Sequence, residues 1–595
     1  MENGTVLIDE AIVTATCNTQ TEQAFFTMDI SFPSWNKDAY TFMPACVYGG
    51  NKIRRVTRPY PPMYHPGEGK EPLMTDIPSL NPDGSGTIEV TTGDMATPCV
   101  GFWNPKTKES FFLFTVQDVK GKNIGISFSE GKISLSFPAN RNKIYRFCNA
   151  PDFGSDKGIP MNANEHISVP YRIFVSECAD IPAFYAQFIR SRKCLLNDKR
   201  APFLYSKALW DKMEAYFNTH SFTGKCYAPG SSKEWQPGWV GGGISSYPLL
   251  AHGTELSKNR CRMTLDFLTS HQAESGFYHG FDGTGRFKDD SFNTPGMEGL
   301  HLVRKSADAL YFLLKHFELC PPEQNWVESA KKCADGFVKL FETYGTFGQF
   351  IHIETAKMKV YGTHSAVMGC AALVKAWRFF RNEQYLAVAK KALLHYCDLF
   401  EKTGITNGGP GEILGAPDSE SAFALLESCV LMLEETNDDA WLPYAETAAH
   451  YCSSWVVSYR YRFPEGSEFH RLHINTVGSV FANVQNKHSA PGICTLSGDS
   501  LLKLYRYTKN KAYLDLIKDI SYFIPQCVST KEKPIHDRFG PAPVKLPEGF
   551  ICERVNMSDW EYDRGIGNVF CASCWCDASL TLSFTELMTQ EEMVP

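Results

Sequence analysis

Four loops of this 595-residue chain crowd together side chains that can move protons or hold polar ligands. The loop at 551–567 carries Glu553, Asp559, Glu561 and Asp563 with Arg554 and Arg564. Several carboxylates in one confined loop push one pKa up, as a general acid near neutral pH requires. A solvated, salt-bridged loop is the alternative. The loop at 404–420 holds Glu412, Asp418 and Glu420. Its end, Pro417-Asp418-Ser419-Glu420, also reads as a helix start capped by Asp418. A cap facing a ligand can still do chemistry.

The loop at 470–494 offers His470, His473, Asn483, Gln485, Asn486, Lys487 and His488, all suited to hydroxyls or a carboxylate. Each His is equally an ordinary structural hydrogen-bonder, and Tyr361 and His364 carry the same two readings. The loop at 234–243 contributes Glu234, Trp235 and Trp239. The indole faces can stack on sugar rings, or both can plug the core where the chain enters a helix. Gly241, Gly242 and Gly243 permit close backbone approach. Asp282, Asp289, Asp290 and Glu298 add acidity before the next helix, and Glu354 falls in an expected hairpin, Ile353 to Met358.

Other chemistries find little support. Cys571 and Cys574 share a helix face and Cys576 does not, and no second Cys/His pair stands at zinc-like spacing. These cysteines are expected to be free and reduced, with no metal and no cofactor. No phosphate loop, dinucleotide fingerprint or nucleophile elbow occurs.

The elements that position these loops fall into two parts. Residues 1–178 read as a β-sandwich. Ile133, Leu135 and Phe137 alternate with Ser134 and Ser136, and Glu130-Gly131 supplies a turn from the Ile126–Ser129 run. Phe111 to Val116 reads as a buried strand and Ile167 to Val175 as the last strand. The stretch Asn51 to Asp83, rich in Arg, Pro and Tyr, is expected to be a long loop reaching toward the second part. A linker helix is expected over 179–202, and the period turns helical from there on.

Twelve helices are expected in 203–595, as six inner–outer pairs of an (α/α)6 toroid. The inner helices should start near 243, 297, 364, 418, 494 and 567, each after a long loop. Those six loops then share one end, where helix N-termini give a positive potential suited to an anionic or polyhydroxyl ligand. The fold class is α+β multidomain.

Bulk composition agrees with a globular chain: 43% hydrophobic, 21% charged and 13% aromatic residues. A net charge of −7 without dense Lys/Arg runs argues against nucleic acid and anionic membrane as partners. No apolar run approaches transmembrane length. The first ten residues lack a basic and an apolar signal region. With twenty scattered cysteines, this leads us to expect a reducing, cytoplasmic compartment, or the periplasm if a leader has been removed. Asn3-Gly-Thr5 matches a glycosylation sequon by chance on this reading. Oligomeric state stays open, a homodimer included.

A β-sandwich followed by six helical hairpins resembles the (α/α)6-barrel carbohydrate enzymes, among them glucoamylase-like hydrolases and several phosphorylase families. The stretches Trp235–Leu250, Pro417–Ala424, Asn486–Asp499 and Ser558–Glu561 resemble glycoside hydrolase family 154, a bacterial group with β-glucuronidase activity. In glucoamylase-like barrels the acid precedes the third inner helix and the base the sixth. That resemblance implies Asp559 or Glu561 as the base and leaves only Glu354 for the acid, a departure from the pattern.

The resulting expectation is an exo-acting glycoside hydrolase on an acidic or plant-derived oligosaccharide, releasing glucuronic acid through paired carboxylates. The catalytic candidates are Asp418, Glu412, Asp559 and Glu561, with roles unassigned among them. Arg554, Arg564, Lys487 and His488 are candidates to hold a substrate carboxylate. Trp235 and Trp239 are candidates to stack, and His364 and Asn486 to bind substrate. Two alternatives stand beside this: a uronate lyase using Asn486, His488, His364 and Tyr361, and a non-catalytic carbohydrate-binding protein.

Overall fold

The computed structural model describes residues 6–595 apart from 33, 197, 229–233, 239–242 and 572–574. Asn3-Gly-Thr5, Trp239, Gly241, Gly242 and Cys574 lie outside the described residues.

Strands dominate up to Glu177. One antiparallel sheet orders Val6–Thr16, His166–Glu177, Glu109–Thr115, Cys99–Asn104 and Tyr40–Phe42. A second orders Phe26–Ser31, Lys132–Phe137, Gly125–Ser129 and Thr87–Thr91. The alternation of the serine-rich strands explains their register. Ser129 pairs with Lys132 across a two-residue turn, and Glu130 and Gly131 both take positive φ, 48° and 81°, as primed hairpin turns demand. Val100, Leu113 and Val169 of the first sheet share an apolar core with Ile88, Ile126 and Leu135 of the second. Glu109–Thr115 does not alternate because both its faces are covered. On its far face Phe112 stacks on Phe184 at 4.6 Å between ring centroids. Phe184 belongs to α1 (Ile181–Ser191), which joins the two parts.

The remaining chain forms helical hairpins. In chain order they are α2 (Lys207–Tyr216), α3 (Gly243–His252), α4 (Glu255–Ser270), α5 (Val303–Leu319) and α6 (Gln324–Tyr344). Next come α7 (Met368–Phe380), α8 (Glu383–Thr403), α9 (Ser419–Thr436) and α10 (Leu442–Cys452). After the short α11 (Glu468–Arg471) follow α12 (Asp499–Thr508), α13 (Lys511–Phe523) and α14 (Trp575–Leu587). Helix α3 packs on α5, α5 on α7, α7 on α9, α9 on α12, α12 on α14, and α14 back on α3, so six inner helices close a ring.

Burial explains who sits inside. Every residue of α9 from Ser419 to Leu433 is buried, as expected of a helix enclosed on all sides. Helix α6 buries Trp326, Ala330, Cys333 and Phe337 and exposes Lys331, Lys332 and Lys339, the pattern of an outer helix. Four inner helices begin later than their sequence pattern indicates, at 303, 368, 499 and 575. The loops before them extend inward as strands and turns. Leu300–Leu302, for example, pairs with Phe350–His352, which pairs with Met358–Val360.

The segment between the sheets' edge strands crosses to the toroid. Arg54–Arg55 and Leu73–Met74 pair in parallel and close its base. Between them, the Gly69 carbonyl accepts from the Tyr361 amide at 2.9 Å and the Leu73 carbonyl from the Gly415 amide at 2.7 Å. Gly69 has φ +100°, and a Cβ there would lie 2.4 Å from the Lys359 carbonyl oxygen, so only glycine permits this docking.

Candidate active site

A cavity of ≈ 250 Å³ opens where the loops before α3, α5, α9, α12 and α14 meet this crossing segment. Its polar lining includes Glu412, Glu420, Asn483, Asn486, His488 and Arg554. Glu234, Gln236 and Glu553 also face it.

The loop that carries Glu412 is held by its backbone. Gln349 donates to the carbonyls of Gly408 and Leu414 at 3.1 and 2.8 Å. Asn407 donates to Gly415 at 3.0 Å and Gln485 to the carbonyl of Glu412 itself at 3.1 Å. The Glu412 side chain, in contrast, has a buried Oε2 with no hydrogen-bond partner. Burial first, then the nearby Glu553 charge, pushes its carboxyl up to about 7. A carboxylic acid that keeps its proton at neutral pH can donate it to a substrate oxygen.

Glu420 sits in the first turn of α9, where the helix N-terminus favours a negative charge. It pairs with the buried Arg304. Arg304 also donates to Thr495 Oγ1 at 3.1 Å and lies 3.4 Å from Asp308. Next to it, Lys305 is paired with Asp290 at 2.5 Å. Burial depresses the Lys305 pKa, and the Asp290 charge opposes that.

The Asn483 side chain accepts from the amides of Gln485 and Asn486 at 3.0 and 2.7 Å, folding the loop tightly so that Asn486 and His488 face the cavity. His488 Nδ1 lies 3.2 Å from the Ser489 carbonyl. A carbonyl only accepts, so Nδ1 holds the proton and Nε2 is left as an acceptor. Burial, helped by the Arg554 charge, keeps the His488 pKa well below its ordinary value, so the ring is neutral. Arg554 lies over the Phe570 ring at 3.9 Å and pairs with Glu561.

The expected site residues thus divide. Glu412, Asn486, His488 and Arg554 come together in the cavity. Asp418 sits directly beside it as the cap of α9, accepting from the amides of Ser421 and Gly409 at 2.6 and 2.9 Å. Burial raises its pKa to about 6 against those hydrogen bonds. Asp559 points elsewhere. Arg141 at 2.7 Å and Arg146 at 3.7 Å, both from the strand-rich part, draw it into a separate cleft with Asp156. Glu561 is taken up by Arg554 and does not line the cavity.

Four substrate-binding candidates also lie apart from the cavity. Lys487 Nζ rests over the rings of Trp560 and Tyr145 at 5.1 and 5.5 Å. Arg564 is exposed, its carbonyl accepting from Asn568 at 2.7 Å. Trp235 is 1% exposed and packs against Phe267 and His271, so it plugs the core and offers no open face. His364 is buried beside Asn407 and the Tyr396 carbonyl, with its pKa pushed down to about 4 by burial. Glu354 lies at the exposed hairpin, 3.5 Å from His279.

Several residues that complete the cavity escaped sequence reasoning. Tyr60 and Pro61 come from the crossing segment, and Phe281, Arg286, Phe287 and Phe292 from one loop before α5. The three Phe between 281 and 292, with Arg286 among them, were the available signal. Cys571 and Cys576 form no disulfide, and Cys576 Sγ donates to the Glu553 carbonyl at 3.5 Å. Among the described residues, no helix is long and apolar enough to cross a membrane.

No protein-family model and no curated protein sequence matches the chain. Its structure is similar to that of a D-mannose isomerase, with 13% identity over 64% of this chain and 96% of the other, at a TM-score of 0.41. A polysaccharide lyase shares 9% identity over 87% of this chain and 81% of its own, at 0.44. A family 76 α-mannanase of Bacteroides thetaiotaomicron shares 11% identity over 64% and 93%, at 0.40. Likeness at this level carries no argument about activity.

Proposed function

We propose that this chain is a carbohydrate-processing enzyme, an N-terminal β-sandwich joined to an (α/α)6 toroid, and that it acts as a glycoside hydrolase. The observation that carries the reading is Glu412: a carboxyl pushed up to about 7, with an unpartnered Oε2, in a cavity also lined by Glu234, Glu420 and Glu553. Glu412 serves as the general acid and protonates the glycosidic oxygen. Glu553, whose charge is felt by Glu412, serves as the partner that activates water or attacks the anomeric carbon. Glu420, fixed by Arg304, accepts from sugar hydroxyls. Arg554 and Asn486, both on the cavity wall, receive a substrate carboxylate, and on this reading the enzyme is exo-acting and releases glucuronic acid, as the resemblance to glycoside hydrolase family 154 implies. A panel of chromogenic glycosides that includes the glucuronide tests this. Turnover by the native chain and its loss in Glu412→Gln is the expected result. No turnover across the panel counts against it.

One observation favours a second reading, a uronate lyase. His488 is neutral with Nε2 free to accept a proton, and Asn486 has a buried Oδ1 without a partner. A base beside groups that hold a carboxylate is what β-elimination needs. Growth of ultraviolet absorbance from an unsaturated uronate product would select this reading over hydrolysis.

A further inference from the structure

The two ends of the cavity differ in chemistry. The buried end is polar: Asn483, His488 and Arg554 are each under a tenth exposed. The open end is aromatic. The half-buried Phe287 and Phe292 meet edge to face at 4.9 Å, and behind them the buried Phe281 lies 6.0 Å from each. Arg286 covers the Phe287 ring at 4.9 Å. A second aromatic wall arrives from the crossing segment, where Tyr60 packs on Phe147 at 4.8 Å while remaining 47% exposed. Glu234, which lines the same cavity, accepts from the Arg286 amide at 2.5 Å.

Partly exposed rings gathered from two distant parts of the chain into one opening are unfavourable in water unless something apolar covers them. Phenylalanine rings offer no hydrogen bond, and Arg286 lies flat over one of them, so this end presents more ring face and fewer polar groups to a ligand than the polar end does. Flat rings instead favour another flat ring, stacked or edge-on.

We propose that the open end is a binding slot for a planar, apolar aglycone, so that the substrates are glycosides of aromatic alcohols, with the sugar on the polar floor. The sugar half of this statement rests on the glycosidase reading; the slot does not. Phe287 and Tyr60 are partly exposed, so Phe287→Ala and Tyr60→Ala leave the core intact, and a thermal melt checks that.

Calorimetry with three probes tests the proposal: 2-naphthol, 2-naphthyl β-glucuronide and methyl β-glucuronide, the two glucuronides being titrated into Glu412→Gln so that neither is turned over. The slot predicts saturable 1:1 binding of 2-naphthol, weakened at least tenfold by Phe287→Ala or Tyr60→Ala. It also predicts that the naphthyl glycoside binds at least tenfold tighter than the methyl glycoside, and that either substitution erases the difference. If 2-naphthol binds while neither glycoside does, the slot stands and the sugar reading falls. If both glycosides bind equally and 2-naphthol does not bind, the slot is overturned. Tighter binding of a disaccharide than of the naphthyl glycoside of the same sugar would likewise overturn it and make the rim a sugar subsite.

Discussion

The charge on Glu553 reaches Glu412: added to burial, it raises the Glu412 carboxyl to about 7 from an ordinary value of 4.5. Burial is the larger cause, and a buried carboxyl that keeps its proton is suited to the role of acid.

The first consequence is a pH profile. Glu412 must be protonated to act, so kcat/KM on a confirmed glycoside should fall above pH of about 7. The limb should approach tenfold per pH unit, since one proton is lost. A rate flat to pH 9 would count against Glu412 as the acid.

Stability should follow the same group with a defined sign. The folded chain holds the Glu412 proton more tightly than the unfolded chain does. The favourable contribution is therefore complete below pH 4.5 and lost as pH rises through about 7. The full span is up to roughly 3 kcal/mol by linkage. Glu412→Gln removes that dependence, so urea unfolding at pH 8 should find the variant more stable than the native chain, and at pH 4 the two should be close.

Asp418 is predicted to matter for folding rather than for turnover. Its side chain caps α9 and ties down Gly409. Asp418→Ala should lower stability by about 1 kcal/mol or more, and Asn should restore only the Ser421 cap, because its NH2 cannot accept from the Gly409 amide. Chemical denaturation of both variants decides this. Loss of activity in a fully folded Asp418→Asn would place Asp418 in the chemistry.

These assignments mark where the sequence stops being readable. The alternation of long and short connections told inner from outer helices, and burial agrees in α9, which is buried throughout from Ser419 to Leu433. It also placed Glu412, Asn486, His488 and Arg554 on loops at one end of the toroid. It could not tell Asp559 from Glu412, because the partners of Asp559 are Arg141 and Arg146, more than four hundred residues earlier. Nor could it bring Tyr60 to the cavity, since that depends on where Gly69 and Leu73 dock on the toroid. Trp235 had two physical readings, and only packing against Phe267 and His271 chose between them.

Asp559 accordingly carries a different prediction. Burial alone would raise its pKa, but Arg141, Arg146 and Lys487 outweigh that and lower it. Its stabilising contribution is present at neutral pH and is lost as pH falls through its depressed folded value. Asp559→Asn should lower stability by roughly 3 kcal/mol by leaving Arg141 and Arg146 short of a counter-charge, with kcat changed only severalfold. A thermal melt paired with a turnover assay separates the two effects.

Turnover by Glu412→Gln on a confirmed glycoside is the most direct test of the central claim. The change keeps the side chain's shape and removes its ionisable proton. With the fold verified by an unchanged circular dichroism spectrum, kcat should drop by roughly two to four orders of magnitude, the range of general acid catalysis. A rate within a few-fold of the native chain would show that Glu412 is not the acid and that the chemistry of this cavity lies with other groups.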